Sequence, residues 1–314
     1  MPVISIITPC FNEEASIAKF YQSIRQIFDE KLPHYQREHI FCDNASTDRT
    51  VTLLKEIART DPSVKIIVNS RNFGILRNTF NGVCSASGDA VLLFMPVDMQ
   101  DPPELIPDFV RLWESGYEIV FGIRDKREEP FMMRTLRRLY YRIISSFSYV
   151  SYPPNVGDFQ LIDRKVHQAL LRTHESDPFL RMMTFEVGFR SVGVPYTWRA
   201  RAEGRSRNNL AQLIDQSFIG LISFSNIPLR LALFSGFAIS VFSIIYGLAV
   251  IALTLMGYVV AGRGIPTIIV ALFFFSGVQL FFIGVLGEYL LAVFNLARNR
   301  PIVTERERVN FVDK

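Results

Sequence analysis

Two carboxylates and an amide stand close together in Phe94-Met95-Pro96-Val97-Asp98-Met99-Gln100-Asp101-Pro102-Pro103-Glu104, directly after an apolar run that begins at Ala90. A continuous apolar run is what a strand buried on both faces requires, and Pro96, which lacks an amide hydrogen, ends it. Oxygen ligands at the C-terminal end of a buried parallel strand lie where an open α/β sheet binds its ligand. Such oxygen ligands suit a hard divalent cation carrying a diphosphate. A polar turn closed by Pro102-Pro103 and a helix cap accounts for the same residues without chemistry.

Similar polar clusters follow three earlier apolar pieces. Val3 to Thr8 leads to Pro9 and Asn12-Glu13-Glu14, His39 to Cys42 to Asp43-Asn44-Ala45-Ser46-Thr47-Asp48, and Val64 to Val68 to Asn69-Ser70-Arg71-Asn72-Phe73-Gly74. Amphipathic stretches at helical spacing, Ile17 to Phe28, Val51 to Arg59 and Gly74 to Ser87, separate them. Strands alternating with helices at this interval predict a doubly wound, mainly parallel α/β sheet with its ligand site along one edge. No Gly-rich loop of the dinucleotide or P-loop kind is present. Phosphate must therefore be held by other groups, for which Arg71, Arg124 and later arginines offer forked charge-assisted bonds. Asp43, at a strand end, can accept from a nucleobase N–H.

The remaining elements continue the pattern. Glu104 to Gly116, Val166 to Leu171 and Phe179 to Phe189 read as helices, Glu118 to Gly122 as a strand, and Val194 to Arg199 as an edge strand. Arg199-Ala200-Arg201-Ala202-Glu203-Gly204-Arg205-Ser206-Arg207 places four arginines within nine residues beside a glycine. Such a segment suits phosphate groups of a ligand, and also suits nonspecific contact with lipid headgroups. Phe131 to Val150 mixes large apolar residues with Arg134, Arg137, Arg138 and Arg142 and carries no acidic residue. It reads either as a helix lying in a headgroup layer or as a packing helix with a solvated basic face.

The chain has 314 residues, 49% of them hydrophobic, with formal net charge +4. That is too apolar for a soluble globule alone, and most of the excess lies beyond Pro228. Leu231 to Val260 and Ile268 to Gly287 are uncharged runs, and about 20 apolar residues suffice to cross a bilayer. Arg230, Arg298, Arg300, Arg306 and Arg308 flank the runs and only Arg263 lies between them, which predicts both termini in the cytoplasm. Leu210 to Phe224 has a helical apolar period suited to the membrane surface. The modest charge, without basic blocks interleaved with aromatics, argues against nucleic acid. Cys10, Cys42 and Cys84 are too few and scattered for a disulfide framework, so reduced cytosolic thiols are expected. A strand beginning at residue 3 leaves no room for a signal peptide in this sequence.

Pro9-Cys10-Phe11-Asn12-Glu13, Asp43 to Asp48, Arg71-Asn72-Phe73-Gly74, Asp98 to Glu104 and Gly157-Asp158-Phe159-Gln160-Leu161-Ile162-Asp163-Arg164 together resemble the successive motifs of family 2 glycosyltransferases. More closely the chain is similar to membrane-attached polyprenyl-phosphate glycosyltransferases, the group of dolichol-phosphate mannose synthases and bacterial undecaprenyl-phosphate sugar transferases. The resemblance implies a GT-A fold over residues 1–209, with a membrane-interface helix at 130–150. It further implies an amphipathic juxtamembrane helix at 210–228, two membrane helices within 229–297, and a cytoplasmic tail at 298–314. It implies inverting transfer of one sugar from a nucleotide-sugar, UDP-linked by preference, to undecaprenyl phosphate at the cytoplasmic face of a bacterial inner membrane, with Mg²⁺ or Mn²⁺.

Carried over by position, Pro9, Asn12, Glu13, Asp43, Arg71, Asn72 and Gly74 would contact the nucleotide-sugar. Asp98 and Gln100 would serve the metal. Arg124, Arg199, Arg201, Arg205, Ser206 and Arg207 would hold phosphate, and Arg134, Arg137 and Arg138 the lipid acceptor. Asp158 would act with Asp98 at the reacting centre, orienting more than deprotonating, because the acceptor is already an anion. Self-association through the spans and C-terminal segment is also implied. Two departures stand out: the family usually has an acidic residue where this chain has Pro96, and often an arginine where it has Gln160. They motivate a competing reading, a nucleotide-sugar-binding relative with little or no activity; a third reading keeps the transferase and changes the acceptor to another membrane lipid.

Overall fold

The computed structural model describes residues 1–126, 153, 155–173, 178–199, 227–256, 264–298 and 300–311. The interface helix expected at 130–150 and the juxtamembrane helix at 210–228, except for its last two residues, lie outside these, as do Arg134, Arg137, Arg138, Arg201, Arg205, Ser206 and Arg207.

Eight strands form one sheet: β1 (Val3–Cys10), β2 (Gln36–Asp43), β3 (Val64–Asn69), β4 (Ala90–Leu92), β5 (Ile119–Lys126), β6 (Val156–Asp163), β7 (Ser191–Thr197) and β8 (Glu305–Val309), in the order β7-β5-β6-β4-β1-β2-β3-β8. The pairs β1–β2, β2–β3, β1–β4 and β5–β7 are parallel, and β3–β8, β4–β6 and β5–β6 are antiparallel. The parallel half forms because its strands are apolar on both faces. Ile4 and Ile6 face one core with Ile17, Phe20 and Ile24 of α1 (Ile17–Lys31) and Leu54 of α2 (Thr50–Thr60). Ile7, Ile40 and Ile67 face the other, with Phe80 and Val83 of α3 (Ile75–Ser85).

From β1 the chain winds outward to β2 and β3, then returns to the far side of β1 as β4. The crevice between β1 and β4 is thus the point where the winding reverses, the usual ligand position in such sheets. The expected strand from Ala90 to Phe94 is shorter in its ladder, though Leu93, Met95 and Val97 remain buried beyond it; Met95 N–H donates to the Ile7 carbonyl at 2.9 Å and keeps the segment against β1. A 3₁₀ turn at Pro103–Leu105 then opens α4 (Ile106–Glu114). Beyond β6 come α5 (Arg164–Leu170) and α6 (Leu180–Glu186).

One expectation is corrected. The C-terminal segment is not simply a tail, because Glu305–Val309 pairs antiparallel with β3 and closes that edge of the sheet. Between the domain and this strand run two long helices, α7 (Ile227–Leu255) and α8 (Ile265–Ala297), both long and apolar enough to cross a membrane. Their large side chains point outward, Leu233 being 68% and Phe273 72% exposed, which is unfavourable in water and favourable in hydrocarbon.

Close packing between α3 and the sheet depends on Gly82, where an added Cβ would lie 2.3 Å from Cys42 Sγ and 2.8 Å from Ile7 Cγ2. Gly82→Ala is therefore expected to destabilise the domain by about 1–3 kcal/mol through overpacking, despite the higher helix propensity of alanine. Thermal unfolding of the purified full-length protein checks it: an unchanged or raised Tm contradicts the account.

Candidate active site

The loops that follow β1 and β2 are zipped together by side chain to backbone hydrogen bonds. Asn12 N–H donates to Ser46 Oγ at 2.8 Å, Thr47 N–H donates to Asn12 Oδ1 at 2.8 Å, and Glu13 N–H donates to Thr50 Oγ1 at 2.8 Å. Asp43, fully buried at the end of β2, accepts from the Ser46 amide at 2.9 Å and from its hydroxyl. Burial pushes the Asp43 carboxyl above its ordinary value, against these Ser46 bonds, which pull it down. Asn12, Ala45 and Met99 all have positive φ without being glycine, so the loops after β1, β2 and β4 each hold a residue in a sparsely populated conformation.

Four asparagines carry this lock to the next loop. Asn44 Nδ2 donates to Asn72 Oδ1 at 2.9 Å, while Asn44 Oδ1 accepts from Phe73 N–H at 2.9 Å and Asn69 Nδ2 at 3.2 Å. Asn69 Nδ2 also donates to Asn78 Oδ1 at 2.8 Å, and Gly74 N–H to Asn72 Oδ1 at 2.9 Å. Asn72 and Gly74 thereby meet the Asp43 loop. Arg71 lies exposed over the Phe73 ring, 3.9 Å from its centroid. Asn44, Asn69 and Asn78 were not singled out from sequence; their positions at strand ends or one helical turn beyond Gly74 were the available signal.

Across the crevice, Asp98 is half-buried and accepts from Gln100 N–H at 3.2 Å. Gln100 Nε2 donates to the Arg199 carbonyl at 3.2 Å and Arg199 N–H to the Gln100 carbonyl at 3.1 Å, so the end of β7 is tied to the Asp98 loop. The Arg199 guanidinium reaches Glu104 at 3.3 Å and stays half exposed, open to an anion. Arg124 requires correction as a phosphate ligand. Its side chain is only 12% exposed, donates to both Asp101 oxygens at 3.2 Å and to Tyr196 Oη at 3.0 Å, and so is consumed by a buried carboxylate beneath the loop. Tyr196 Oη donates to the same Asp101.

Asp158, on β6, is gripped by Arg181 of α6 through bonds of 3.1 and 2.5 Å. Burial alone would raise its carboxyl, but Arg181, helped by the charge of Arg124, holds it below the ordinary value, so Asp158 is an anion at neutral pH. Gln160, where a phosphate contact was considered lost, is fully buried; its amide donates to the Gly157 and Arg181 carbonyls and accepts from Thr184 Oγ1 at 2.7 Å. In this chain position 160 ties β6 to α6.

Among the described residues no three His, Cys, Asp or Glu side chains gather as a metal cage. Asp101 and Asp158 are each paired with an arginine, and Asp98, half-buried in the loop that also carries Gln100, has the hard oxygens that a cation takes. One carboxylate with coordination completed by phosphate oxygens and water fits Mg²⁺ or a similar hard ion.

Comparison with known proteins follows this geometry. A family model, glycosyl transferase family 2, matches residues 5–171. The glycosyltransferase YkcC of Bacillus subtilis is 35% identical over 299 residues, covering 95% of this chain and 91% of that protein. The SfII prophage-derived bactoprenol glucosyl transferase of Shigella flexneri is 34% identical over 311 residues, covering 98% and 99%. A more distant likeness is to the solved structure of glucosyl-3-phosphoglycerate synthase from Mycobacterium tuberculosis, 22% identical with TM-score 0.47, covering 71% of this chain and 78% of that one.

Removing the cation from a buried pair leaves an uncompensated charge, so Arg124→Ala is expected to lower stability by about 3–5 kcal/mol, and Tyr196→Phe by about 1–2 kcal/mol. Denaturant unfolding ranks them, and an Arg124→Ala protein as stable as the parent refutes the pairing. For Asp158 the folded pKa is depressed, so its contribution is complete above the unfolded value, about 4, and is lost as pH falls through the folded one. Asp158→Asn is accordingly expected to narrow the gap in Tm between neutral and strongly acidic pH; an unaltered gap contradicts the Arg181 pairing.

Proposed function

The chain belongs to glycosyl transferase family 2, and from that premise we propose that it transfers a single sugar, with inversion, from a nucleotide-sugar to a polyprenyl phosphate at a membrane surface. The observation that carries the reading is the crevice between β1 and β4. The polar loops after β1 to β4, the last carrying Asp98, follow neighbouring parallel strands at one edge of the sheet, in a chain that also holds two helices apolar enough for a bilayer. The bactoprenol acceptor named for the Shigella relative supports the lipid class.

In this reading the Asp43 loop and the Asn72–Gly74 loop take the nucleoside, and Arg71 and Arg199 take phosphate charge. Asp98, with the oxygen of Gln100, would hold Mg²⁺ or Mn²⁺. When bound, that ion neutralises the charge gathering on the leaving diphosphate. Asp158, kept ionised by Arg181, is a weak base. That suits an acceptor whose phosphate oxygen needs no proton removed, so Asp158 orients rather than deprotonates. It lies near enough to Asp101 and Arg124 for their charges to act on one another, which supports a place for it by the Asp98 loop. Arg201, Arg205 and Arg207, with Ser206, are proposed for the phosphates, and Arg134, Arg137 and Arg138 for the lipid; all lie outside the described residues. A UDP-linked donor is the proposed preference.

For membrane placement, β1 to β7 precede the two apolar helices and β8 follows them in the same sheet. A hairpin of two crossings satisfies this, with the arginine-flanked side cytoplasmic, as in a bacterial inner membrane. The reading of an inactive binder loses part of its motivation, since Gln160 in this chain is a buried tie between elements.

The test is transfer from radiolabelled UDP- and GDP-sugars to undecaprenyl phosphate by detergent-purified protein, with Mg²⁺, Mn²⁺ or EDTA. A lipid-linked product from one donor is expected, abolished by EDTA and reduced about 100-fold or more by Asp98→Ala. Nucleotide binding without product from any donor overturns transfer, and full turnover by Asp98→Ala overturns the metal assignment. Mass spectrometry of the product distinguishes polyprenyl phosphate from another lipid acceptor.

A further inference from the structure

The strand that follows the second apolar helix touches the loop assigned to the nucleotide. Glu305 of β8 stands opposite Asn69 of β3, at a point where the pairing shifts register, and Ser70 N–H donates to the Thr304 carbonyl at 2.9 Å. Asn69 is fully buried, and its amide bonds both Asn44 and Asn78. Arg71 to Gly74 follow at once.

Side chains of the same strand hold the two helices that leave the nucleoside loops. Asn81 Nδ2 of α3 donates to Glu305 Oε1 at 2.6 Å, and Arg308 Nη2 donates to Ser85 Oγ at 3.2 Å. Lys55 Nζ of α2 donates to Glu307 Oε2 at 2.7 Å. Beyond the strand, Asn310 Nδ2 donates to the Ala58 and Val64 carbonyls, each at 2.9 Å, and the Phe311 ring packs beside Lys65 and Arg308. Arg308 also bonds Glu305 at 2.7 Å, and with Asn81 it outweighs burial to keep that carboxyl below its ordinary value. Such a set of directed bonds fixes α3, whose first residue, Ile75, directly follows Gly74.

We propose that β8 is a strap that positions the donor site: Thr304 and Glu305 set the conformation of the Asn69–Gly74 loop, so that the segment after the second apolar helix determines affinity for the nucleotide-sugar. The proposal rests on the reading of that loop as a nucleotide contact. Only residues 298–304 join α8 to β8, so the loop stays within a short chain length of the apolar helices. Glu305 and Thr304 touch no donor in this account. They act through Asn69, Ser70 and Asn81, as positioning residues.

The experiment uses full-length protein in detergent, beside Glu305→Ala, Glu305→Gln and a truncation ending at Arg300. The measurements are hydrogen exchange of the Ser70–Gly74 amides, Kd and KM for the donor, KM for polyprenyl phosphate, and kcat. Glu305→Ala is expected to speed exchange in the loop and raise the donor Kd and KM about fivefold, with the acceptor KM unmoved. Glu305→Gln, which keeps an oxygen for Asn81, is expected to restore most of the affinity, and the truncation to exceed the alanine effect. Unchanged exchange, or faster exchange with an unchanged donor Kd, overturns the strap, as does a fall in kcat alone, which marks a general loss of folded protein. Should the truncation fail to fold, the two Glu305 variants decide. A wild-type protein that binds none of the nucleotides refutes the proposed function instead, and loop exchange in the variants still judges whether β8 orders the loop.

Discussion

Charge inside this domain must be compensated, and the pairing of Asp101 with Arg124 shows how far that requirement shapes the rest. Asp101 is 1% exposed beneath the loop that carries Asp98. An isolated carboxylate there would be strongly disfavoured, and Arg124 from β5, with Tyr196 from β7, meets it from two other strands. Three segments distant in sequence are thus joined under one loop. Gly157 leaves the space: a Cβ there would lie 3.2 Å from Arg124 Nε and 3.3 Å from Tyr196 Oη. The same requirement assigns Arg181 to Asp158.

The parallel half of the sheet was legible because its signals are local. Apolar strands ending at Cys10, Asp43 and Asn69, each followed by polar residues and an amphipathic helix, can be read within short windows, and the core has the corresponding period. The interlocked loops were legible in membership though not in mechanism. Asn12 and Asn72 were expected to touch a ligand, and both side chains also bond neighbouring loops. Asn44 is the hub between them and looked like one polar residue among many.

What escaped depends on pairing between distant residues. Arg124 follows a strand in sequence, as a phosphate ligand would, yet its partner Asp101 precedes it by 23 residues and lies across the fold. The antiparallel insertion of β6 between β4 and β5 also has no local marker, because a strand's direction is decided by where its connections can run. Glu305-Arg306-Glu307-Arg308 lacks the apolar alternation of a half-buried strand and reads as a solvated tail. At the edge of a sheet, charged residues are compatible with pairing and guard against promiscuous association. Here their partners are Lys55, Asn81 and Ser85, on helices encoded more than 200 residues earlier.

That last pairing joins the domain and the apolar helices into one topological problem. A chain that leaves a sheet, passes through two bilayer-length helices and re-enters the same sheet has its ends on one side of whatever those helices cross. Loop closure entropy grows only slowly with the number of residues enclosed, so β8 can pair with β3 across this separation if its bonds are sufficiently specific. The bonds are directed at α2, α3 and the backbone of β3, which are also the elements that carry the Asp43 and Asn72 loops. Closure of the sheet and order of the loops therefore arise from the same contacts. A sheet closed in this way is complete only after the chain has passed through the second apolar helix and returned.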